Sequence, residues 1–331
     1  MNRPVTIVMY HYVRPLERTR FPEIKGLDVS LFSEQLAYLQ RFYQIVSAEE
    51  LLAAVRGPSW DLPRNAALLT FDDGYADHYQ YVFPILEEAG IPACFFPPSS
   101  VVLERSLLDV NRIHFILASV EKKEALVEDI FERLDRQRAD YDLRPNAAYY
   151  TELAKASRWD SAQIVFIKRI LQCGLPSELR SRISRGLFAK YVSADERAFA
   201  EELYLSLDQL KCMTRHGMYV GCHSHAHERM GQLSPDEQAA AIDRSLELLR
   251  IVGTDLSAWI MCYPYGDSNE SLRAILREKN CAVGLTTVPD LASGSDDLLQ
   301  MARLDTNDLP KDGRAPPGPW TTRLGEGRRD G

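Results

Sequence analysis

The chain has 331 residues, of which 45% are hydrophobic and 26% are charged, and its formal net charge is −8. This composition is typical of a folded globular protein and excludes a wholly disordered chain. The acidic balance excludes a general affinity for nucleic acids or anionic membranes, because phosphate groups are bound mainly by Lys and Arg. The length fits one large domain or two modest domains.

The N-terminal sequence and the cysteines indicate in which cellular compartment the protein is expected. No apolar run approaches the roughly 18 residues that a membrane-spanning helix needs, so we expect no transmembrane segment. The opening MNRPVTIVMYHYV lacks the apolar core and small-residue cleavage site of a signal peptide. The six cysteines are scattered without a CxxC pair, which fits buried thiols in a reducing compartment. We therefore expect a cytoplasmic protein.

The first hundred residues alternate between strand and helix patterns. Buried strands are predicted at 5–10, 66–71 and 93–97, and helices at 30–43, 47–57 and 75–88. This alternation predicts a parallel sheet with helical crossovers.

Almost only helical patterns follow, until strands return at 218–222, 259–263, 282–287 and 301–305, with helices at 235–252 and 268–279. We expect one β/α domain built from 1–103 and 206–310 and interrupted by a helical insertion, 104–205.

The charged residues of the insertion are interpreted as a solvent-exposed face; the functional alternative is that the insertion forms a lid that shapes the substrate pocket. The Gly/Pro/Arg-rich tail, 311–331, is expected to be disordered.

Carboxylates and imidazoles follow several predicted strands. Asp72-Asp73-Gly74 follows 66–71, the histidines His223, His225 and His227 follow 218–222, and His11 ends the first strand. In parallel β/α barrels the catalytic residues lie at the C-terminal ends of the strands. An Asp-Gly turn and a polar loop with incidental histidines are the structural alternatives.

These residue types suit a catalytic metal site. Zinc binds imidazole nitrogen and carboxylate oxygen, and a catalytic site has about three protein ligands and an open position. Asp73 with two of His223, His225 and His227 supplies three; strand alternation permits His225 as one of them. Asp72 is then free to act as a general base, and His11 is a candidate proton donor to a leaving amine.

Three motifs resemble those of a known family. Thr70-Phe71-Asp72-Asp73-Gly74 resembles the first signature of the polysaccharide deacetylases, the NodB-homology family or carbohydrate esterase family 4. His223-Ser224-x-x-His227 resembles the second signature, and Tyr263-Pro264-Tyr265-Gly266 is similar to the third. The resemblance covers about 5–100 and 206–305.

The resemblance implies an α/β fold, a distorted barrel of about seven parallel strands, here with a large helical insertion. It implies that Asp73, His223 and His227 bind a divalent ion, most often zinc, with cobalt or nickel as alternatives. Asp72 would be the general base, and the backbone N–H of Tyr265 would stabilise the oxyanion.

The sequence departs from the family pattern at two points. Cys262 stands where the third signature commonly has the arginine that orients the base, and Arg303 is a candidate replacement, with Asp305 or Asp308 as alternative partners. The late histidine signature that usually supplies the acid is missing. In a permuted branch, similar to the poly-N-acetylglucosamine deacetylases, the first strand supplies that histidine, which His11 matches.

We therefore expect a metal-dependent carbohydrate N-deacetylase, a hydrolase that removes an acetyl or formyl group from an amino sugar. A cytoplasmic location favours a cell-surface glycan precursor, nucleotide-linked, lipid-linked or oligosaccharide, as the substrate. The alternative is a catalytically inactive NodB-like module that binds a glycan or a partner protein.

Overall fold

The computed structural model describes residues 3–157 and 160–326. Its strands are β1 (Thr6–Tyr10), β2 (Gln44–Ile45), β3 (Ala66–Asp72), β4 (Cys94–Phe96), β5 (Tyr219–Val220), β6 (Trp259–Cys262), β7 (Cys281–Leu285) and β8 (Leu304–Asp305). Its helices are α1 (Val29–Phe42), α2 (Ala48–Arg56), α3 (Phe83–Glu88), α4 (Ser99–Leu103), α5 (Asp109–Ser119), α6 (Lys123–Arg136), α7 (Asn146–Leu153), α8 (Ala162–Gln172), α9 (Ser177–Tyr191), α10 (Glu196–Leu203), α11 (Leu207–Arg215), α12 (Pro235–Val252), α13 (Glu270–Glu278) and α14 (Pro319–Glu326). None of the helices in these ranges is both long and apolar enough to cross a membrane.

Helix starts are set by local side-chain chemistry. The hydroxyls of Ser47, Ser206 and Ser234 each accept a hydrogen bond from the third backbone N–H of α2, α11 and α12, respectively. The Glu or Gln side chain at that third position accepts a hydrogen bond from the backbone N–H of the serine. Such capping boxes satisfy two otherwise unpaired donors and mark the helix boundary in the sequence. Gly253 ends α12 in the left-handed conformation that glycine adopts without strain.

The larger sheet has the order β5-β4-β3-β1-β8, with β2 also paired to β3, and each of these strand pairs is parallel. All seven residues of β3 are buried, as expected for a strand covered on both faces. Tyr10, Phe71 and Phe95 lie in register on β1, β3 and β4, and their rings stack at 4.8 and 5.0 Å. The parallel α/β architecture predicted from the sequence is therefore confirmed.

The strands do not form one uninterrupted sheet. β6 and β7 make a separate two-stranded parallel sheet. Single bridges, Cys222 with Met261 and Leu285 with Met301, connect it to residues next to β5 and β8. The expected strand count of about seven did not include β2, because two residues are too short to produce an alternation pattern. Barrel closure stays a prediction.

The chain divides into two compact units. The first comprises Met1–Pro15, Gly26–Ser106 and Ala200–Gly331, and contains both sheets. The second comprises Leu16–Lys25 and Leu107–Phe199. In the described part of the second unit, helices α5 to α9 pack on one another, and Phe21 packs edge-on against Phe115. The sequence did not associate residues 16–25 with the helical segment, because they lie far from it along the chain.

The C-terminal tail differs from the expectation of disorder. Helix α14 lies within it, and the Thr321 hydroxyl hydrogen-bonds to the hydroxyls of Tyr38 and Tyr43, at 2.7 Å each. Arg41 binds the backbone carbonyls of Gly313 and Ala315. The expectation for 311–326 was therefore wrong, because composition does not reveal polar contacts made with distant helices. Residues 327–331 lie outside the described part of the chain.

Candidate metal centre and active site

The candidate site lies beyond the C-terminal ends of neighbouring strands in the first unit. Asp72 is the last residue of β3 and Asp73 follows it. His223 lies shortly after β5 and Tyr265 shortly after β6. Parallel pairing places these strand ends at the same edge, which brings distant segments of the chain together.

Asp73, His223 and His227 converge on one point. Asp73 Oδ1 lies 3.4 Å from His223 Nε2 and 3.3 Å from His227 Nε2, and the three atoms lie within 4.8 Å of one another. The Nδ1 atom of His223 donates to the backbone carbonyl of Cys262 at 2.7 Å, which assigns the proton to Nδ1 and turns Nε2 toward Asp73. The structure thus brings together the three residues predicted as metal ligands.

The donor set fits a divalent metal ion. Asp73 Oδ1 and His223 Nε2 are buried and have no hydrogen-bond partner among the described residues. Buried polar atoms are almost always satisfied, so two such atoms facing each other indicate a ligand. Donor atoms about 2.0–2.2 Å from a tetrahedral ion lie roughly 3.3–3.6 Å apart, which matches the observed separations. Two imidazoles and a carboxylate are donors typical of zinc.

His225 points elsewhere. Its Nδ1 atom lies 2.8 Å from Ser99 Oγ, and its Nε2 atom lies 3.3 Å from Glu104 Oε1. The ligand pair of His223 and His225, which strand alternation permits, does not form, because the loop leaves the extended conformation at Ser224, where φ is 59°.

Asp72 is clamped by Arg303. The guanidinium donates from Nη1 to Asp72 Oδ1 at 3.0 Å and from Nη2 to Oδ2 at 2.8 Å, while Nε donates to the Thr286 carbonyl at 2.8 Å. Burial alone would raise the pKa of Asp72, but Arg303, His223 and His11 lower it to about 2. Asp72 is therefore ionised near neutral pH and held in a fixed orientation.

Arg303 reaches Asp72 from a different position than the sequence suggested. It directly precedes β8, and among the described residues it forms no ion pair with Asp305 or Asp308, the alternative partners suggested by the sequence. The Cys262 thiol donates to Asp72 Oδ1 at 3.3 Å. Burial raises the pKa of Cys262, so this side chain is a neutral hydrogen-bond donor beside the carboxylate.

His11 lies at the open side of the cluster. Its Nε2 atom is 3.9 Å from Asp72 Oδ2, and 41% of its side chain is exposed. The Nε2 atom of the buried His78 hydrogen-bonds to the backbone carbonyl of His11 at 2.8 Å. Burial lowers the pKa of His78 to about 4, so this imidazole is neutral and structural. The sequence did not reveal this support for His11.

Left-handed backbone conformations set the directions of the side chains. Asp73, His227 and Tyr265 have φ values of 69°, 57° and 59°. Non-glycine residues rarely adopt this region, and such strain is concentrated at functional sites. The Tyr265 ring packs edge-to-face on His227 with centroids 4.6 Å apart, and the Arg229 guanidinium lies 4.1 Å from its centroid.

Comparison with known proteins agrees with this geometry. Residues 60–132 and 189–284, about half of the chain, match the sequence profile of the family described as polysaccharide deacetylase. A 78-residue segment is 45% identical to the poly-beta-1,6-N-acetyl-D-glucosamine N-deacetylase of Escherichia coli K12. That segment is 23% of this chain and 12% of the relative, so the chain spans about an eighth of its length.

Two solved structures share the fold over almost their whole length. The Streptococcus pyogenes deacetylase PplD, in complex with acetate, is 20% identical with a TM-score of 0.57, and 94% of each chain is covered. IcaB from Ammonifex degensii is 18% identical with a TM-score of 0.55, covering 97% of this chain and 98% of that one.

The residues matched to the family profile include both aspartates of the site, His223, His227 and Tyr265, whereas His11 and Arg303 lie outside them. The chain therefore belongs to the polysaccharide deacetylase family, in which it resembles the branch of the poly-N-acetylglucosamine deacetylases.

Proposed function

We propose that this protein hydrolyses the N-acetyl group of N-acetylglucosamine residues in a glycan, using a bound divalent metal ion. One observation carries the proposal: a buried set of three metal donors, Asp73, His223 and His227, lies directly beside an ionised carboxylate, Asp72. The name of the Escherichia coli relative supports N-acetylglucosamine as the sugar. An N-formyl group would undergo the same reaction.

The metal site has a defined role in this proposal. Asp73, His223 and His227 hold the ion, and zinc suits their donor atoms best, with cobalt or nickel as alternatives. When bound, the ion supplies Lewis acidity that polarises the acyl carbonyl and makes a water molecule more acidic.

The remaining residues move protons and stabilise charge. Asp72 accepts a proton from the attacking water, while Arg303 keeps the carboxylate ionised and oriented. Water adds its oxygen to the acyl carbon, and the backbone N–H of Tyr265 stabilises the oxyanion. His11 donates a proton to the nitrogen as the C–N bond breaks, which releases the free amine and acetate.

The alternative, an inactive glycan- or partner-binding module, depended on the missing arginine of the third signature. The two hydrogen bonds from Arg303 to Asp72 favour the enzyme instead. The carrier of the sugar and a cytoplasmic location stay predictions.

Acetate release from β-1,6-linked N-acetylglucosamine oligomers, combined with elemental analysis, tests the proposal. We expect about one ion per chain and turnover in the wild type. Asp72→Asn should retain the ion and lose turnover, whereas His223→Ala should lose both. His216→Ala, a change in an exposed histidine paired with Glu87, is the matched control and should lose neither. Metal binding by the wild type without hydrolysis of any N-acetyl or N-formyl amino sugar would favour the binding module.

A further inference from the structure

The two oxygens of the Asp73 carboxylate have different surroundings. Oδ1 faces the imidazoles of His223 and His227, whereas Oδ2 accepts a hydrogen bond from the Tyr75 hydroxyl at 2.5 Å. The phenol therefore binds the side of the carboxylate that faces away from the metal donors.

Contacts with two other tyrosines hold the Tyr75 ring in place. It is fully buried and stacks on Tyr12, with centroids 4.0 Å apart and an interplanar angle of 19°. Tyr204 lies parallel to it at 6.3 Å, and the backbones of Tyr75 and Tyr204 form an antiparallel bridge. The Leu205 N–H also donates to the Gly74 carbonyl at 2.9 Å. The hydroxyl thus comes from a rigid support rather than from a mobile side chain.

A carboxylate needs such support to present one oxygen only. The last torsion of an aspartate side chain has a broad energy profile, so an unsupported carboxylate rotates easily. Groups that hydrogen-bond to metal ligands orient them, and their loss typically weakens metal affinity by about 10- to 100-fold.

We propose that Tyr75 is a positioning residue that holds Asp73 as a single-oxygen metal ligand and thereby sets the affinity of the site. This inference rests on the proposed function, because it assumes that Asp73 binds a metal ion. Tyr75 itself has no role in proton transfer.

The test is titration of the metal-free full chain with Zn²⁺ in competition with a chromophoric chelator. Tyr75→Phe removes the hydroxyl and keeps the stacked ring, and we expect its zinc Kd to rise about 10- to 100-fold. Tyr10→Phe is the matched control, because Tyr10 is a fully buried tyrosine whose hydroxyl has no hydrogen-bond partner in the described chain. Its zinc Kd should equal that of the wild type.

Two further readouts separate orientation from general damage. Thermal unfolding of the metal-free proteins should show that Tyr75→Phe is folded. At saturating zinc the variant should recover most of the wild-type kcat, and the absorption spectrum of its cobalt form should differ from that of the wild type. Equal zinc Kd values for Tyr75→Phe and the wild type would overturn this inference alone. Failure of the wild type to bind zinc, cobalt or nickel would instead overturn the proposed function.

Discussion

Arg303 forms two parallel hydrogen bonds with Asp72, although the two residues lie 231 positions apart in the chain. Both side chains are buried, so each charge depends on the other for compensation. A planar guanidinium orients both oxygens of a carboxylate, which a lysine ammonium cannot do. Asp72 thus has a guanidinium partner although Cys262 stands at the arginine position of the third signature.

Replacing Arg303 by Lys should therefore lower turnover more than it lowers metal binding. If Asp72 is the general base, as proposed above, we expect kcat to fall by about 10²-fold, since a misoriented base loses most of its contribution. The metal content should stay at the wild-type level, because Arg303 does not contact the donor set. Acetate release and elemental analysis on the same preparation measure both quantities.

Arg14→Lys is the matched control for that change. Arg14 is also buried and binds the carboxylate of Asp77 from two nitrogen atoms, at 2.7 Å each. Both variants should lose about 1–3 kcal/mol of stability, but only Arg303→Lys should lose turnover. Wild-type turnover in Arg303→Lys would show that Asp72 needs no orienting group.

The role of His11 is tested by changing the leaving group. His11→Ala should reduce the hydrolysis of N-acetylglucosamine oligomers by about 10²- to 10⁴-fold, because an amine must be protonated as it leaves. Hydrolysis of 4-nitrophenyl acetate should decrease much less, since nitrophenolate leaves without a proton. An equal loss on both substrates would indicate that His11 acts in binding or folding and not as the acid.

An alanine substitution at Gly74 tests whether the turn after Asp73 leaves room for a side chain. Its φ is +69°, and an added Cβ would lie 2.6 Å from Pro97 Cβ. Gly90 has a similar φ of +64° with no atom within 4 Å of an added Cβ. Gly90→Ala should cost about 1–2 kcal/mol from the backbone alone. Gly74→Ala should cost about 2–5 kcal/mol, because overpacking adds to that strain. Urea unfolding midpoints measure the difference, and equal costs would contradict the steric argument.

The hydrogen bonds and the lowered pKa of Asp129 predict that the stability of the second unit depends on pH. It accepts hydrogen bonds from Arg133, Lys190 and Tyr191 at 2.8–2.9 Å. Burial raises its pKa, but Lys190, Tyr191 and Arg133 together hold the pKa below the ordinary value. Since the folded pKa is the lower one, the stabilisation is present above the unfolded value of about 3.9 and is lost as the pH falls through the folded value.

Asp129→Asn should thus lose about 1–3 kcal/mol at pH 7, with a smaller difference from the wild type below pH ~4. Glu132→Gln, on the same helix, alters an exposed pair with Arg136 at 3.3 Å and should cost about 0–1 kcal/mol. Thermal unfolding followed by circular dichroism at both pH values checks this. A difference independent of pH would rule out the charge of Asp129 as its cause.

Much of the site could be predicted because its ligands lie in short local motifs. Asp72 and Asp73 lie at the end of a strand that is apolar except for Thr70, and His223 and His227 follow another predicted strand, so strand periodicity places them at one edge of the sheet. The choice of His227 over His225 needed the family pattern, because the left-handed residues that redirect the loop have no clear sequence signal.

Other contacts could not be predicted because they depend on packing between distant segments. The Tyr38 and Tyr43 contacts that hold α14 join residues about 280 positions apart. Tyr75 is close to Asp73 in sequence, yet its hydroxyl reaches Oδ2 only because the chain turns through left-handed conformations at Asp73 and Gly74.

Strand and helix alternation, the chemical motifs and the family resemblance can be recognised from the sequence, because they depend on local apolar periodicity and on residues adjacent in the chain. The pairing of side chains becomes visible only in the folded chain: Arg303 binds Asp72, Tyr75 binds Asp73, and His225 lies beside Glu104 instead of the metal donors. A side chain takes its direction from its backbone conformation and from the packing around it, and segments far away along the chain set both.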